Sequence, residues 1–252
     1  MPNKADYLLI SFPKCGRTWL RLMLGRILQN YFGLQSENLL DLVALAKLDP
    51  EIPQITVVHD DKPQWKKARD LATSKTRYRD NKIIFLVRDP RDVVVSSFFQ
   101  KVKRRQAYHG SLSEYIYEEV GSFESIIKFY NIWADNAHVP QEFLLVRYED
   151  IHKNAKYEIR KIVDFLGLSK ISEDLLSEAV NFASFENMRK MEEEDIFKVK
   201  PLRPTNPADP ESYKTRRGKV GGFIDYLSTA EIDYLTQRMS KTLSTFYGYP
   251  CA

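Results

Sequence analysis

The stretch "YLLISFPKCGRTWLRLMLGRIL" (7–28) combines a strand, a tight loop and the start of a helix. Residues 7–12 are a short apolar run that ends at Pro13, which is typical of a buried strand. From Thr18 onward the apolar residues recur every three or four positions, which indicates an amphipathic helix. Because the amide groups and the dipole of a helix N-terminus attract anions, the loop is a candidate phosphate site. It lacks the usual signature G-x-x-x-x-G-K-[ST], since it has one glycine and its lysine precedes that glycine.

Three more apolar runs predict strands, at 55–60, 82–87 and 143–150. Segments with helical character follow Pro90, cover 114–133 and 154–166, and begin again at Ser228. Continuous apolar strands that alternate with helices indicate a parallel sheet covered on both faces. We therefore predict a three-layer α/β fold of the P-loop nucleotide-binding type, built as a single domain over residues 1–252.

Charge and cysteine content narrow the classes of function. The 38 basic and 34 acidic side chains give a formal net charge of +4, which permits an anionic small ligand and does not require nucleic acid. We therefore expect no nucleic-acid partner. Two cysteines, Cys15 and Cys251, cannot build a disulfide framework and indicate a reducing compartment. The apolar stretch near the N-terminus is too short for a signal peptide or a membrane span, so a soluble cytoplasmic protein is expected.

A second motif, "FLVRDPRDVVVSSF" (85–98), places Arg88 at the carboxyl end of the third strand and Ser96 in the helix that follows. In open α/β sheets, ligands bind outside the carboxyl ends of the strands. Arg88 is therefore placed where a ligand phosphate would lie. The ordinary alternative is an ion pair between Arg88 and Asp89 at the end of a strand.

Together these segments resemble the sulfotransferases of the cytosolic type, which use 3′-phosphoadenosine 5′-phosphosulfate (PAPS) as donor. "SFPKCGRTW" (11–19) is similar to the family loop that binds the 5′-phosphosulfate, and "RDPRDVVVS" (88–96) is similar to its 3′-phosphate segment. Three more segments match in family order: "RYEDIHKNAKYEIRKIVDFLG" (147–167), "ASFENMRK" (183–190) and "RRGKVGG" (216–222).

The resemblance implies a PAPS site and a role for most of its residues. Lys14 would stabilise the bridging oxygen of the leaving phosphate, and Arg17 would either contact the 5′-phosphate or form a salt bridge to the outside. Tyr148 and Phe185 would form walls of the adenine slot. No metal is expected, because no Asp, Glu or Cys cluster has metal-ligand spacing and the donor does not require bridging Mg²⁺. The implied donor-binding residues are Lys14, Cys15, Gly16, Arg17, Thr18, Trp19, Arg88, Ser96, Tyr148, Phe185, Arg216, Arg217 and Gly218.

His59 is the candidate general base, since it lies at the end of the second strand, where the family carries a base histidine in a K-T-H segment. An imidazole titrates near ~6.5 and can accept a proton at neutral pH. Asp60 or Asp61 is expected to orient its ring. The other histidines, His109, His138 and His152, are expected in loops or on the surface.

Two departures from the family pattern concern the acceptor end of the site. Val57 stands where the family has the lysine of K-T-H, so Arg17 or Lys62 is expected to supply a substitute cation. Phe223 stands where the family has a tryptophan, and an acidic contact is lost with it.

The acceptor is expected to be a small molecule, a glycan or a lipid with a hydroxyl group, and the oligomeric state is left open. Candidate aromatic linings are Phe12, Phe98, Phe99 and Tyr108. The basic, proline-rich segment 198–222 is predicted to be a functional loop or lid.

Two alternatives are weighed against this interpretation. A P-loop kinase would have an acidic residue at a strand end to hold Mg²⁺, but strand three ends in Val87 and Arg88. A non-catalytic nucleotide-binding or basic-patch protein could use "KVKRR" (101–105), but these residues lack interleaved aromatic side chains.

Overall fold

A computed structural model describes residues 7–198 and 202–249. Its centre is a four-stranded sheet in the order β2-β1-β3-β4, in which all neighbouring strands run parallel. The two central strands are almost fully buried, as their uninterrupted apolar sequences predict. The predicted α/β class is therefore confirmed. The strands are β1 Tyr7–Ser11, β2 Ile55–Val58, β3 Lys82–Val87 and β4 Glu142–Arg147.

The helices cover both faces of the sheet. The chain moves from β1 to β2 in one direction across the sheet and from β3 to β4 in the other. Because such crossovers are right-handed, the helices of these two connections lie on opposite faces. The helices are α1 Arg17–Phe32, α2 Leu42–Leu45, α3 Pro90–Phe99, α4 Leu112–Tyr115, α5 Phe123–Asp135, α6 Tyr148–Lys153, α7 Ala155–Phe165, α8 Glu173–Phe182, α9 Phe185–Glu193 and α10 Thr229–Thr242.

This reversal of direction between β1 and β3 positions the site. At such a switch point the loops that follow two adjacent strands turn away from each other and leave a crevice at the carboxyl ends. The loop after β1 carries Lys14, and the loop after β3 carries Arg88. A single turn of π-helix, Gln100–Arg104, extends α3 beside the same crevice.

Some element boundaries differ from the sequence prediction. The fourth strand ends at Arg147, so Tyr148 begins a helix and is not part of a strand. The helical segment 114–133 is divided into α4 and α5 at Gly121, whose φ is +63°. A side chain at Gly121 would meet the Gln64 carbonyl oxygen at 2.0 Å, so the close approach of two backbones requires this break. The last helix begins after Ser228, as predicted, and Ser228 forms a capping box with Glu231.

Candidate active site

A cavity of about 1020 Å³ lies at the carboxyl ends of the central strands. All the donor-binding residues implied by the sequence line it, except Cys15, and His59 lines it as well. The Cys15 side chain is buried in the core, with its Sγ 3.2 Å from the Tyr130 hydroxyl, and burial raises its pKa to about 12. The prediction for Cys15 can therefore hold only through its backbone.

The loop after β1 is held in a conformation that brings its backbone close to the cavity. Lys14 and Gly16 have φ of +80° and +92°, in the left-handed region that favours glycine. A side chain on Gly16 would stand 2.5 Å from the Tyr148 ring. The Lys14 Nζ donates a 3.0 Å hydrogen bond to the Gln100 side chain. Burial, reinforced by Lys214 and neighbouring arginines, lowers the pKa of Lys14 well below its usual value.

Aromatic rings form a slot beside this loop. Trp19 and Tyr148 meet edge to face with their centroids 5.6 Å apart, and the Trp19 Nε1 donates a hydrogen bond to the Ala183 carbonyl at 2.8 Å. On the other side, Gly218 leaves room for the Phe185 ring, since a side chain there would approach the ring to 2.4 Å. The slot is consistent with the adenine-binding role implied for Tyr148 and Phe185, a role that stays a prediction.

His152 is exposed, as predicted, and it also lines this slot. Its Nε2 donates to the Gly218 carbonyl oxygen at 2.6 Å, and its ring lies edge-on to Trp19, 6.0 Å between centroids. The signal in the sequence was its spacing, because residues four apart lie on the same face of a helix, and Tyr148 is four residues earlier.

The second motif lies at the far end of the slot. The Arg88 guanidinium pairs with Asp92 at 3.3 Å, donates to the Lys219 carbonyl at 2.9 Å, and stands 4.4 Å over the Tyr148 ring. Its Nε is buried and forms no hydrogen bond within the described ranges 7–198 and 202–249. Arg216 pairs with Glu211 at 2.9 Å and stacks 4.1 Å from the Phe99 ring. Both arginines therefore have a carboxylate partner, but Arg88 also keeps a buried donor for an anion.

His59 lies at the opposite end, where two hydrogen bonds define its tautomer. Its Nδ1 lies 2.9 Å from the Ser11 carbonyl oxygen, and a carbonyl can only accept, so Nδ1 carries the proton. The unprotonated Nε2 then accepts a 2.6 Å hydrogen bond from Arg17. Burial and the adjacent Arg17 lower the pKa of His59 to about 3, so the ring is neutral at physiological pH.

The expectation that Asp60 or Asp61 orients His59 is wrong. The Asp60 carboxylate is buried on the other side of the chain, where it pairs with Lys75 at 2.7 Å and accepts from the Tyr78 hydroxyl at 2.7 Å. Asp61 accepts from the Ala72 amide at 2.7 Å. The backbone carbonyl of Ser11, the last residue of β1, orients the ring instead.

The structure also narrows the choice of substitute cation at Val57. Lys62 does not line the cavity, whereas Arg17 does and bonds His59. The sequence interpretation missed Lys214, which lines the cavity. Burial, together with Arg104 and Arg17, lowers the pKa of Lys214 to about 8. The sequence could have indicated Lys214, because it lies in the basic segment 198–222, just before the RRG motif at 216–218.

The segment that carries Lys214 is anchored to one buried carboxylate. Glu192 accepts hydrogen bonds from the Lys214 amide at 2.6 Å, the Thr215 amide at 2.9 Å and the Thr215 hydroxyl at 2.7 Å. Arg104 joins the same carboxylate at 3.3 Å and donates to the Ser212 carbonyl at 2.7 Å. Residues 199–201 of the predicted lid lie outside the described residues.

The candidate aromatic linings of the acceptor pocket are wrong. None of Phe12, Phe98, Phe99 and Tyr108 is among the residues that line the cavity, in the part of the chain that the structure describes. Phe12 is fully buried against Phe129, 5.7 Å between centroids, because it continues the apolar run of β1 into the core. The aromatic residues at the His59 end are Trp65 and Tyr115.

The fold and the cavity define an α/β protein with a cationic cleft at the switch point of a parallel sheet. Comparison with known families then identifies the class of enzyme: the chain belongs to the sulfotransferase family, since the model of the sulfotransferase domain matches residues 4–247. It is 25% identical over 266 residues to cytosolic sulfotransferase 16 of Arabidopsis thaliana, covering 94% of this chain and 76% of that protein. It is 24% identical over 259 residues to sulfotransferase 2A1 of Mus musculus, covering 97% and 86%.

Solved structures show the same fold. A mouse sulfotransferase, SULT7A1, complexed with PAP (3′-phosphoadenosine 5′-phosphate), matches with a TM-score of 0.63 and 18% identity. The match covers 97% of this chain and 87% of that one. Retinol dehydratase in complex with androsterone and inactive cofactor PAP matches with a TM-score of 0.63 and 16% identity, covering 94% and 80%. Among the described residues, no helix combines the length and apolar character needed to cross a membrane.

Proposed function

We propose that this enzyme transfers a sulfonate group from PAPS to the hydroxyl of an acceptor, with His59 as general base. The observation that carries the proposal is one continuous cavity with an anion-binding loop at Lys14, an aromatic slot, and Arg88 at its far end. A nucleotide that bears phosphates on both its 5′ and 3′ sides needs this order of features. The PAP complexes of the two proteins of the same fold support the choice of nucleotide.

Two buried, unpartnered donors fit such a ligand. The Nη1 of Arg17 and the Nε of Arg88 are buried without a hydrogen-bond partner in the described parts of the chain. A buried donor without a partner is costly, so these two atoms favour an anion that accepts from both regions. Gly16 and Gly218, both with positive φ, let the backbone approach the ligand without a side chain in between.

The proposed reaction balances as follows. The acceptor oxygen forms a bond to the sulfur of PAPS, the bond between that sulfur and the bridging phosphate oxygen breaks, and the hydroxyl proton moves to the Nε2 of His59. The products are the sulfated acceptor and 3′-phosphoadenosine 5′-phosphate (PAP). The bridging oxygen gains negative charge, which Lys14 stabilises at the end of the loop. Positioning and electrostatics supply most of the catalysis in a transfer of this kind.

Arg17 must move for this step. It occupies the Nε2 lone pair that receives the proton, at 2.6 Å, so His59 becomes available only when the guanidinium turns away. A 5′-phosphosulfate beside Lys14 offers Arg17 an anionic partner in place of a neutral imidazole. Binding of the donor is therefore the event that releases the base.

A nucleotide-dependent kinase is less consistent with this cavity. The lining of the cavity includes no Asp or Glu among the residues that the structure describes, so the cavity offers no carboxylate of the kind that holds Mg²⁺ beside ATP. The loop also lacks the second glycine and the lysine that follows it.

Thermal unfolding with PAP, with ATP plus Mg²⁺, and with AMP tests the donor site. A ligand at about 100 times its dissociation constant stabilises the protein by roughly 2.7 kcal/mol, which for a chain of this size corresponds to a shift of about 5–10 °C. We expect this shift with PAP and a smaller one with AMP. A shift with ATP alone, or none with any nucleotide, contradicts the proposal.

A further inference from the structure

The cavity is strongly cationic along its whole length. No carboxylate lines it within the described ranges 7–198 and 202–249, whereas eleven lysines and arginines do. They are Lys14, Arg17, Arg21, Arg88, Lys101, Arg104, Arg105, Arg203, Lys214, Arg216 and Arg217.

These cations fall into two groups. Five form ion pairs with carboxylates outside the lining: Arg88, Arg104, Arg203, Arg216 and Arg217. The other six form no ion pair in the part of the chain that the structure describes. They are Lys14, Arg17, Arg21, Lys101, Arg105 and Lys214. Charges that are partly removed from water without a counterion favour an anionic ligand.

The contacts of the lining residues separate two ends of the cavity. At the donor end, Gly16, Trp19, Arg88 and His152 all contact Tyr148. The loop at Lys14 and the pair Arg17–His59 lie where the reaction occurs.

A different set of contacts forms the other end. Lys101 stands 5.7 Å from the centroid of the Trp65 ring and 4.9 Å from that of Tyr115, and Arg105 stands 5.1 Å from Trp65. Lys101 also donates to the Val120 carbonyl at 3.0 Å. Trp65 is 44% exposed, so a large aromatic face is open beside two cations.

This second set adjoins the general base. Both Arg105 and Lys214 are close enough to His59 to contribute to the depression of its pKa. Burial lowers the pKa of Lys101 as well. Lys101 and Arg105 contact Trp65, apart from the cations at the Lys14 loop and at Arg88, whereas Lys214 adjoins both ends, because it lowers the pKa of Lys14 as well as that of His59.

We infer that the acceptor is itself an anion: a hydroxyl compound that carries a carboxylate, sulfate or phosphate group, bound by Lys101, Arg105 and Lys214 beside Trp65. The inference rests on the proposed sulfotransferase function. A neutral acceptor would leave these three cations without an ion-pair partner among the described residues, since Glu118 and Glu192 act on Lys101 and Lys214 only from a longer distance. An anionic acceptor supplies this partner, and the cations of the lining offset its repulsion by the negatively charged donor.

Matched pairs of acceptors test the inference. Transfer of ³⁵S from labelled PAPS is measured to 4-hydroxyphenylacetate and its methyl ester, to glucose 6-phosphate and glucose, and to N-acetylglucosamine 6-sulfate and N-acetylglucosamine. Stabilisation of the PAP-saturated protein by each compound is measured in parallel, so that a probe that reacts poorly still reports binding. We expect the charged member to be preferred by about tenfold or more in at least one pair, and the pair identifies the anion.

Variants assign the preference to the acceptor end. In Arg105→Gln and Lys101→Gln we expect the ratio of charged to neutral turnover to fall about tenfold, and Arg105→Lys to recover most of it. Lys103→Gln is the control, since it removes the same charge two residues from both Lys101 and Arg105, but from a side chain that pairs with Asp209 and does not line the cavity.

Failure of the inference and failure of the proposed function give different results. If PAP does not stabilise the protein, the donor assignment fails. If PAP stabilises it but neutral members react or bind as well as charged ones, the inference is overturned and the sulfotransferase proposal stands. The same conclusion holds if Lys103→Gln changes the ratio as much as Arg105→Gln does, because a general field would then explain the preference.

Discussion

Replacement of Arg88 by glutamine tests the proposed role of this residue in recognition of the 3′-phosphate. The guanidinium is held by Asp92, by the Lys219 carbonyl and by the Tyr148 ring, and its buried Nε is left for a ligand. A hydrogen bond between charged groups contributes about 1.5–3 kcal/mol. We therefore expect the dissociation constant of PAP to rise about 10- to 150-fold, while that of AMP, which lacks the 3′-phosphate, changes less than about twofold.

Stability must be controlled, because the same substitution removes the partner of a buried carboxylate. Asp92 keeps two amide donors, Gly221 at 2.9 Å and Phe223 at 3.0 Å, but burial already raises its pKa. The loss should be about 1–3 kcal/mol in the free energy of unfolding. The double variant Arg88→Gln/Asp92→Asn removes the buried charge, so it should regain stability without regaining affinity for PAP.

Isothermal titration calorimetry with PAP and AMP on the three proteins provides the assay. The decisive quantity is the ratio of the two dissociation constants, which cancels any general damage to the adenine slot. An unchanged ratio in Arg88→Gln would refute the assignment of Arg88 to the 3′-phosphate. Recovery of PAP affinity in the double variant would refute it equally, since stability alone would then account for the loss.

Three more predictions follow from the geometry. Gly16→Ala should weaken PAP binding and lower the free energy of unfolding by about 1–3 kcal/mol, because the new side chain would meet the Tyr148 ring at 2.5 Å. Gly33→Ala is the calorimetric control: Gly33 has a φ of +64° but no atom within 4 Å, so this change should cost only the backbone strain. The pKa of His59 is about 3 in the folded state and near ~6.5 in the unfolded state, so the unfolded state binds the extra proton and stability should fall as the pH decreases from 6.5 toward 3. Denaturant titrations at several pH values should show that the slope of the unfolding free energy against pH is smaller in His59→Gln by up to about 1.4 kcal/mol per pH unit. Glu192→Ala should lower the unfolding free energy by about 3–5 kcal/mol and raise the dissociation constant for PAP, because one carboxylate anchors the segment that carries Lys214; unchanged values would show that the anchor is dispensable.

The sheet and the donor end could be predicted from the sequence because they depend on local patterns. Buried strands such as β3 are continuous apolar runs, and the residues that follow them lie at a common edge of the sheet. The loop at Lys14 and the motif at Arg88 are short and contiguous, and their neighbours in space follow from the pairing of β1 with β3.

The acceptor end could not be predicted, because it is assembled from irregular segments. Asp60 is next to His59 in sequence but finds its partners in Lys75 and Tyr78, which no periodic pattern connects to it. Lys214 reaches the cavity through a long loop whose path is set by the buried carboxylate of Glu192. Neither relation has a signature in residue spacing, so aromatic candidates near the motifs, such as Phe12, were chosen incorrectly.

In the proposed mechanism, the charges of the cavity also determine when His59 can act as a base. Without ligand, burial and surrounding cations keep the pKa of His59 near 3, which makes its imidazole a weak proton acceptor. The same environment lowers the pKa of Lys214 to about 8. A base is most effective when its pKa lies near the working pH. The negative charges of the donor oppose the cations that depress this pKa and draw Arg17 away from Nε2 at the same time. The proposed anionic acceptor would act in the same direction. In this mechanism the base gains strength when both reactants are in place, and the cationic lining would link occupancy of the cavity to proton transfer.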